Sequence, residues 1–282
     1  MVFQFSAFAD ESGKEFSAQV DALKRNRYQY LEIRNVDGQK LTDVTLPQAK
    51  EMAGILADNG LSVWSMGSPI GKMQVDGDWN GHLDQYRHVL DMAGIFGARH
   101  IRLFSFFMPR GEDPTQYRSL VMDRMHVFAE IAKAYGVICC HENEKGIYGD
   151  IASRCLEIHQ EVPEIKAVFD PANFVQCGQD TLQAWELLSG HVAYMHIKDA
   201  LPDGRVVPPG QGHGNVPALI QKYAAQGGKV LSLEPHLTKF VGLSALEQEG
   251  DTSVIGTISF ESKEAAFDFA ANNLYKIVEE LA

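Results

Sequence analysis

The sequence predicts an α/β protein, a single-domain (β/α)8 TIM barrel that spans residues 1–282. Three observations support this fold class. Eight short apolar segments alternate with helical patterns along the whole chain. No linker or change of composition divides the chain. A doubly wound open sheet is the competing prediction, but no Gly-x-Gly-x-x-Gly motif follows the first strand.

Four strand–helix units account for the first half of the chain. Ser12 and Glu15 form a capping-box pattern before the first helix, and Thr45 with Gln48 repeats it before the second. Gly97 ends the third helix. The predicted strands are residues 3–8, 28–33, 61–66 and 101–107. The fourth helix is expected to face the core with Leu120, Val127, Ile131 and Tyr135.

The second half repeats the pattern four more times. Apolar runs predict buried parallel strands at residues 137–140, 167–169, 193–195 and 230–233. Asp180, Asn215 and Ser262 are the expected caps of three of the helices in this half. Residues 235–261 form an unusually long connection, which predicts a functional loop.

Each of these last four strands runs directly into a side chain that can bind a metal ion. The strand ends of a (β/α)8 barrel converge on one face, so these residues become neighbours although they are distant in sequence. Carboxylates crowded together in this way would take up protons unless a cation compensated them. The four residues are Glu142, Asp170, His196 and Glu234.

Three carboxylates and one imidazole form a hard site with oxygen and nitrogen ligands. We therefore expect one divalent metal ion, with Mn²⁺ the first choice and Mg²⁺, Co²⁺ or Zn²⁺ also suitable. Copper and iron–sulfur chemistry suit such a ligand set poorly.

Neighbouring residues are candidates for substrate contacts. Strand alternation places Glu144 on the side of Glu142, and turns His141 away as a supporting hydrogen-bond donor or a mobile base. Lys198 shares the side of His196 and is expected to hold a substrate oxygen. Arg34 ends the second strand on the same rim, and Arg205 lies in a rim loop.

Composition narrows the class of partner. The net charge is −12 and the basic residues are scattered, which argues against a nucleic-acid partner. Four cysteines without a Cys-x-x-Cys pair indicate buried thiols in a reducing compartment. The absence of a leader pattern and of a long apolar stretch predicts a cytoplasmic protein without a membrane partner. The sequence does not determine the oligomeric state, and a homodimer is one possibility.

Four short motifs at these strand ends resemble those of the xylose isomerase-like sugar isomerase/epimerase superfamily, and the resemblance covers the whole chain as architecture. They are His-Glu-Asn (141–143), Phe-Asp-Pro-Ala-Asn (169–173), His-Ile-Lys-Asp (196–199) and Leu-Glu-Pro (233–235). The resemblance implies that Glu142, Asp170, His196 and Glu234 bind the metal. In the epimerases of this family, the glutamates that match Glu142 and Glu234 also move the proton.

The resemblance thus implies an isomerase or epimerase that acts on a keto-sugar or related polyol through an enediolate. One departure concerns Asn173, because ketose epimerases carry His at this position and Asn cannot exchange a proton. His141 and Glu144 are the extra acid–base groups that a lyase or dehydratase acting on a keto-sugar or an oxidised glycoside would use for its second proton transfer. An endonuclease IV-type nuclease and a non-catalytic sugar-binding barrel are two further hypotheses, and the negative charge of the chain opposes the nuclease.

Overall fold

A closed barrel of eight parallel strands forms the centre of the computed structural model, which describes residues 2–240, 254–255 and 258–281. Each strand pairs with its sequence neighbours, and the first strand pairs with the last to close the cylinder. The barrel is therefore the predicted (β/α)8 fold. Its strands are β1 (Gln4–Ala7), β2 (Tyr30–Ile33), β3 (Ser62–Gly67), β4 (His100–Leu103), β5 (Ile138–Glu142), β6 (Lys166–Phe169), β7 (Val192–Ile197) and β8 (Val230–Leu233).

Helices surround the barrel and bury an apolar face against it. The largest buried side chains between the two layers include Phe128, Trp185 and Phe267. Among the described residues, no helix is long and apolar enough to cross a membrane. The helices are α1 (Phe16–Arg25), α2 (Leu46–Asp58), α3 (Trp79–Phe96), α4 (Arg118–Ala134), α5 (Ala152–Glu161), α6 (Pro171–Gln176), α7 (Thr181–Leu188), α8 (Val216–Ala225) and α9 (Lys263–Glu280).

Several helix ends follow the sequence signals. Thr45 and Gln48 form the reciprocal capping box that begins α2, and Gly97 adopts the left-handed conformation that ends α3. Asp180 and Ser262 accept the N–H groups of Gln183 and Ala265 at the starts of α7 and α9. These caps confirm the local predictions.

Two predicted caps are wrong. The Ser12 pattern does not start α1, because the helix begins only at Phe16, whose N–H group donates to Asp37 Oδ1 at 2.8 Å. Asn215 precedes α8 with φ +53°, but its side chain donates to Thr181 Oγ1 instead of capping the helix. In both cases a residue from another part of the chain supplies the competing partner.

The fourth unit differs from its prediction in length and in rotation. β4 ends at Leu103, and the backbone leaves the barrel so that Phe106 reaches φ +67°. In α4, Leu120 is 39% exposed, whereas the neighbouring Val121 is fully buried. The helix is therefore rotated by about one residue, and Tyr135 also points outward at 42% exposure. Val127 and Ile131 are partly buried and pack against the core.

The connection after β8 is described only in part. Residues 235–240 follow the strand, and Val254 accepts a hydrogen bond from the N–H group of Val206. Positions 241–253 and 256–257 of the predicted loop lie outside the described residues, so the functional role of residues 235–261 stays a prediction. The four cysteines are free, and three of them are buried, as the sequence predicted.

Candidate metal centre

The four predicted metal ligands meet at the C-terminal rim of the barrel. Glu142 is the last residue of β5, Asp170 follows β6, His196 lies within β7, and Glu234 follows β8. One donor atom from each residue lies within 4.8 Å of the others, and all four side chains are buried. The structure thus brings together a set of residues that spans 93 positions of the sequence, from 142 to 234.

His196 lies at the centre of this cluster. Its Nδ1 atom is 2.9 Å from Glu142 Oε1, 3.5 Å from Glu234 Oε2 and 4.0 Å from Asp170 Oδ2. The edge of the Phe8 ring packs against the imidazole at a centroid distance of 5.2 Å. The same ring nitrogen therefore faces all three carboxylates.

Asp170 is held by both its backbone and its side chain. Asn143 bridges the N–H and C=O groups of Asp170 with two hydrogen bonds of 2.9 Å. Asp170 Oδ1 caps α6 by accepting the N–H group of Asn173 at 3.0 Å. Oδ2 forms an ion pair with Lys198 Nζ at 2.8 Å. One oxygen of this carboxylate is therefore committed to the helix, and the other faces the cluster.

Two buried guanidinium groups balance the charge of the glutamates. Arg102 Nη1 lies 3.1 Å from Glu142 Oε2 and 3.9 Å from Glu234 Oε1. Arg34 Nη1 donates to Glu234 Oε1 at 2.8 Å, and its other nitrogens contact Asp10 and Glu11. Because buried charges require partners, these arginines allow the carboxylates to remain ionised inside the protein.

The opposite nitrogen of His196 faces the barrel interior. Its Nε2 atom lies 3.2 Å from Glu32 Oε2, and Glu32 is fully buried within β2. Tyr194 Oη and Ser232 Oγ donate to the same carboxylate at 2.7 and 2.6 Å. The imidazole is therefore held between the rim cluster and a polar layer beneath it.

The electrostatic environment shifts the pKa values of the three carboxyl groups in different directions. Burial disfavours the charged form of Glu142, but His196 and Arg102 outweigh it and lower the pKa from 4.5 to about 2. Burial also opposes ionisation of Glu234, yet Lys198 and the neighbouring histidines bring its pKa well below the ordinary value. For Asp170, burial dominates over Lys198 and raises the pKa from 3.8 to about 6.

These residues fit a divalent cation. The donor set is three carboxylates and one imidazole, which suits Mn²⁺, Mg²⁺, Co²⁺ or Zn²⁺. Asp170 Oδ2 is buried and forms a 2.8 Å ion pair with Lys198 Nζ, so this oxygen already accommodates a positive charge. The acidic and imidazole cluster could therefore hold one metal ion.

A second acidic group shares Glu234 with this cluster. Glu11, Glu234 and His236 also place donor atoms within 4.8 Å of one another. Glu11 Oε2 accepts the backbone N–H group of His236 at 2.7 Å, and His236 has φ +48°. Because Arg34 contacts both carboxylates, its guanidinium already supplies the positive charge of this group.

Some of the predicted substrate-binding residues reach the cluster. Lys198 contacts Asp170 and Glu234, and Asn173 Nδ2 lies 3.3 Å from Glu142 Oε1. Arg34 also reaches the cluster, but its guanidinium is engaged by carboxylates of the protein. Their roles in substrate binding stay predictions.

The side chains of the other three candidates form no hydrogen bond with the four candidate ligands in the described structure. Glu144 pairs with Lys72 at 2.9 Å in the rim loops, and Arg205 pairs with Asp203 within its own turn. His141 lies on the opposite face of β5, where its Nε2 atom is 2.9 Å from Ser105 Oγ. A side chain at the position of Gly149 would collide with this imidazole.

His141 packs against the helical layer and not against the group of candidate metal ligands. Its ring packs on His159 of α5 at a centroid distance of 5.9 Å, and burial lowers its pKa from 6.5 to about 3. The alternation of β5 explains this placement, since adjacent residues of a strand face opposite sides. The described contacts of His141 therefore offer no support for its predicted acid–base role.

The sequence interpretation missed Glu32 and Arg102. Both are charged residues inside short apolar strands, in Tyr-Leu-Glu-Ile and His-Ile-Arg-Leu. A charge in the middle of a parallel barrel strand is costly unless a partner compensates it, and this signal could have identified both residues.

The fold and the cluster together define a class of protein, the (β/α)8 barrels that carry a Glu-Asp-His-Glu group at the C-terminal rim. The sequence profile of the family described as xylose isomerase-like TIM barrel matches residues 20–250. The chain belongs to this family. A search of curated protein sequences gave no match.

Solved structures share the fold at low sequence identity. The IolI protein with a bound zinc atom has a TM-score of 0.76 and 16% identity, with 100% of this chain and 99% of that chain covered. D-psicose 3-epimerase from Clostridium cellulolyticum H10, in complex with D-tagatose, has a TM-score of 0.76 and 14% identity, with 99% of each chain covered. The probable 3-DHS dehydratase AsbF from Bacillus anthracis has a TM-score of 0.73 and 16% identity, covering 98% of this chain and 99% of that one.

Proposed function

We propose that the protein is a divalent-metal-dependent isomerase or epimerase that acts on a keto-sugar or related polyol. The observation that carries this proposal is that Glu142 and Glu234 both approach His196 Nδ1, at 2.9 and 3.5 Å, within one buried group of candidate metal ligands. Both glutamates are buried, and the pKa of each is lowered, so both are available as proton acceptors at neutral pH. The zinc-bound and epimerase structures of similar fold support the same class of reaction.

A metal ion held by Glu142, Asp170, His196 and Glu234 would polarise a carbonyl group of the sugar and make the adjacent C–H group more acidic. Mn²⁺ is the ion that we propose. The protein then supplies the base. One ionised glutamate takes the proton from the carbon next to the carbonyl, and the other, after it has taken up a proton from solvent, gives that proton to the opposite face. The first glutamate then releases its proton to solvent, which restores the starting state. Return to the same carbon gives epimerisation, and return to the adjacent carbon gives aldose–ketose isomerisation.

The remaining polar groups orient the sugar. Lys198 Nζ contacts Asp170 and Glu234, and we propose that it donates to a sugar oxygen between them. Asn173 already donates to Glu142 and to the backbone of Asn143, so it fixes the glutamate and orients a hydroxyl group without exchanging a proton.

The charges around the site favour an uncharged sugar. Four cations are paired with carboxylates of the protein, namely Arg34, Lys72, Arg102 and Lys198. The carboxylates are more numerous, namely Asp10, Glu11, Glu32, Glu142, Glu144, Asp170 and Glu234. A phosphate group would have to break one of these pairs, and a neutral hydroxyl group would not.

A lyase or dehydratase is the second candidate. Asn173 favours it, because an amide at this position leaves the cluster without the imidazole that ketose epimerases carry. The probable 3-DHS dehydratase of similar fold supports this alternative.

The decisive experiment measures metal content and then isotope exchange. Mass spectrometry should find about one divalent ion per chain in the purified protein. A panel of unphosphorylated keto-sugars is then incubated in deuterated water with Mn²⁺ and followed by NMR. Deuterium at a carbon next to the carbonyl supports the isomerase or epimerase, and formation of an enone or a released leaving group supports the lyase. Exchange that is equally fast without metal would refute the proposed metal dependence.

A further inference from the structure

We infer that Glu32 is a positioning residue for the metal centre: it holds His196 with a proton on Nε2, so that Nδ1 presents its lone pair to the cation site. This inference rests on the proposed metal site. It assigns a function to a charged residue of β2 that lies beneath the rim and contacts none of the other three ligands directly in the described structure.

The contacts of Glu32 fix the direction of its carboxylate. Oε1 accepts from Tyr194 Oη at 2.7 Å, and Oε2 accepts from Ser232 Oγ at 2.6 Å. The third contact is the 3.2 Å approach of His196 Nε2 to Oε2. Tyr194 Oη is also 3.1 Å from Ser65 Oγ, which holds the phenol in place. Every one of these side chains is fully buried.

The barrel register explains why these residues meet. Ser232 of β8 pairs with His196 of β7, and Glu32 of β2 pairs with Ser65 of β3. Only β1 separates β8 from β2 in the closed barrel, and the side chains of the two pairs meet inside the cylinder. A carboxylate inside the barrel is therefore placed under the imidazole by the fold itself.

The chemistry of the contact determines which nitrogen carries the proton. A carboxylate only accepts hydrogen bonds, so a ring nitrogen that faces one donates to it, and in the metal-free structure both nitrogens of His196 face carboxylates. A cation held by the rim carboxylates would replace the proton on Nδ1 alone, while Glu32 would keep the proton on Nε2. An imidazole that donates from Nε2 can offer Nδ1 to a cation, and Nδ1 is the nitrogen that faces the three rim carboxylates. Carboxylate partners of this kind also orient the ring and raise its basicity as a ligand.

A purely structural role accounts poorly for this arrangement. Barrel interiors are usually filled with branched apolar side chains, and a buried carboxylate is costly without compensation. The direct partners of Glu32 in the described structure are two hydroxyl groups and the imidazole, with no direct ion pair to Lys or Arg. The ligand orientation that it provides is a reason to retain such a costly group.

The test compares metal affinity in three variants by titration of the metal-free protein with Mn²⁺. Glu32→Leu removes the acceptor, and we expect the affinity to fall about 10- to 100-fold. Glu32→Gln can keep an amide oxygen toward Nε2, and we expect at least half of the loss in log affinity to be restored. Tyr194→Phe removes a different hydrogen bond of Glu32 and leaves Nε2 untouched, so it should bind Mn²⁺ within about threefold of the wild type. Equal affinity in Glu32→Leu and wild type would overturn the inference, as would equal losses in Glu32→Leu and Tyr194→Phe.

A second measurement does not depend on the variants. NMR of the wild type with ¹⁵N-labelled histidine, loaded with Zn²⁺, should show a protonated Nε2 and a metal-shifted Nδ1 in His196. The reverse assignment would overturn the inference even if Glu32→Leu fails to fold. If the wild type binds no divalent ion, the proposed function fails, and the protonation of Nε2 in the metal-free protein still tests the contact with Glu32.

Discussion

Lys198 Nζ lies 2.8 Å from Asp170 Oδ2, the one oxygen of that carboxylate that faces the metal cluster. The same ammonium is 3.1 Å from Glu234 Oε2. A lysine therefore shares two carboxylates with the proposed cation, and it is repelled by that cation when the site is filled. In the proposed mechanism this lysine would compete with the metal ion for the two carboxylates and would donate to a substrate oxygen.

Replacing this lysine should separate the two effects. In Lys198→Met we expect Mn²⁺ to bind about tenfold more tightly, since about 1.4 kcal/mol of charge repulsion is removed. Turnover of the sugar identified in the isotope-exchange panel should fall by about 100-fold or more, because the donor to the sugar oxygen is lost. Calorimetric titration with Mn²⁺ measures the affinity for the ion, and steady-state kinetics measures turnover. Weaker binding of the ion together with unchanged turnover would contradict the assignment.

The two glutamates should be needed separately for proton transfer. Glu142→Gln and Glu234→Gln are each expected to lower the rate of deuterium exchange by about 100-fold or more, because an amide cannot accept the proton. Circular dichroism should show that the fold is retained. Glu161→Gln, which changes an exposed carboxylate of α5, is the matched control. Exchange at the normal rate in either active-site variant would exclude the proposed shuttle.

Binding of the ion should stabilise the fold. At a free Mn²⁺ concentration about 100 times the Kd, the gain in the free energy of unfolding is about 2.7 kcal/mol. Asp170→Asn should lose most of this gain, although its remaining oxygen can still cap α6. Thermal unfolding with Mn²⁺ and with a chelator gives the measurement. An equal shift of Tm in wild type and Asp170→Asn would place the ion elsewhere.

Buried His159 should make the protein less stable in acid. Burial lowers its pKa from 6.5 to about 4, so the unfolded chain binds the proton more readily than the folded one. Its contribution to stability is complete above pH 6.5 and is lost as the pH falls toward 4. His159→Asn removes this proton uptake. The slope of the unfolding free energy against pH, measured between pH 4 and 6.5, should therefore decrease by up to about 1.4 kcal/mol per pH unit, which corresponds to one proton.

Urea unfolding at a series of pH values measures this slope. The amide of the asparagine can still donate to Ile165 O, as the imidazole does at 3.1 Å. His126→Asn, at an exposed position of α4, controls for the loss of a histidine. An unchanged slope in His159→Asn would assign the acid sensitivity to other groups.

The loop after β7 depends on a glycine. Asp199 accepts the backbone N–H groups of Gly210, Gly212 and Gly214, which holds this loop beside Lys198. A Cβ atom on Gly212 would collide with Asp199 Oδ1 and lie 2.6 Å from Ala200 O. Gly212→Ala should therefore destabilise the protein by about 1–3 kcal/mol.

The opposite result is expected for Gly94→Ala. This glycine lies inside α3 with no atom within 4 Å of an added Cβ, so alanine should stabilise the protein by about 0.5–1 kcal/mol. Chemical denaturation of both variants measures the difference. A Gly212→Ala protein as stable as the wild type would show that the Asp199 loop adapts freely.

The barrel and the cluster of four candidate metal ligands could be predicted because both depend on local patterns. Apolar strands that end in Glu142, Asp170, His196 or Glu234 are visible in the sequence, and closure of the barrel brings these strand ends together. The contact between Glu32 and His196 depends instead on which strands face each other across the barrel. That relationship follows from closure and register, which no local pattern specifies.

The errors have similar causes. Asp37 displaces the predicted start of α1 because a residue of a later loop offers a better partner to Phe16. The face of α4 was misjudged because Leu120 and Val121 are both apolar, and only the contact with the barrel decides between them. Tertiary contacts override local preference in both cases.

The proposed ligands and part of their support come from different halves of the cylinder. All four proposed ligands lie in or directly after β5 to β8, whereas the counter-ions Arg34 and Arg102, and the imidazole partner Glu32, belong to the first four units. If the chain were cut within α4, the carboxyl-terminal fragment would carry every ligand but lack these counter-ions and the support for the imidazole. Recovery of ion binding would then report directly on whether the two fragments had complemented each other.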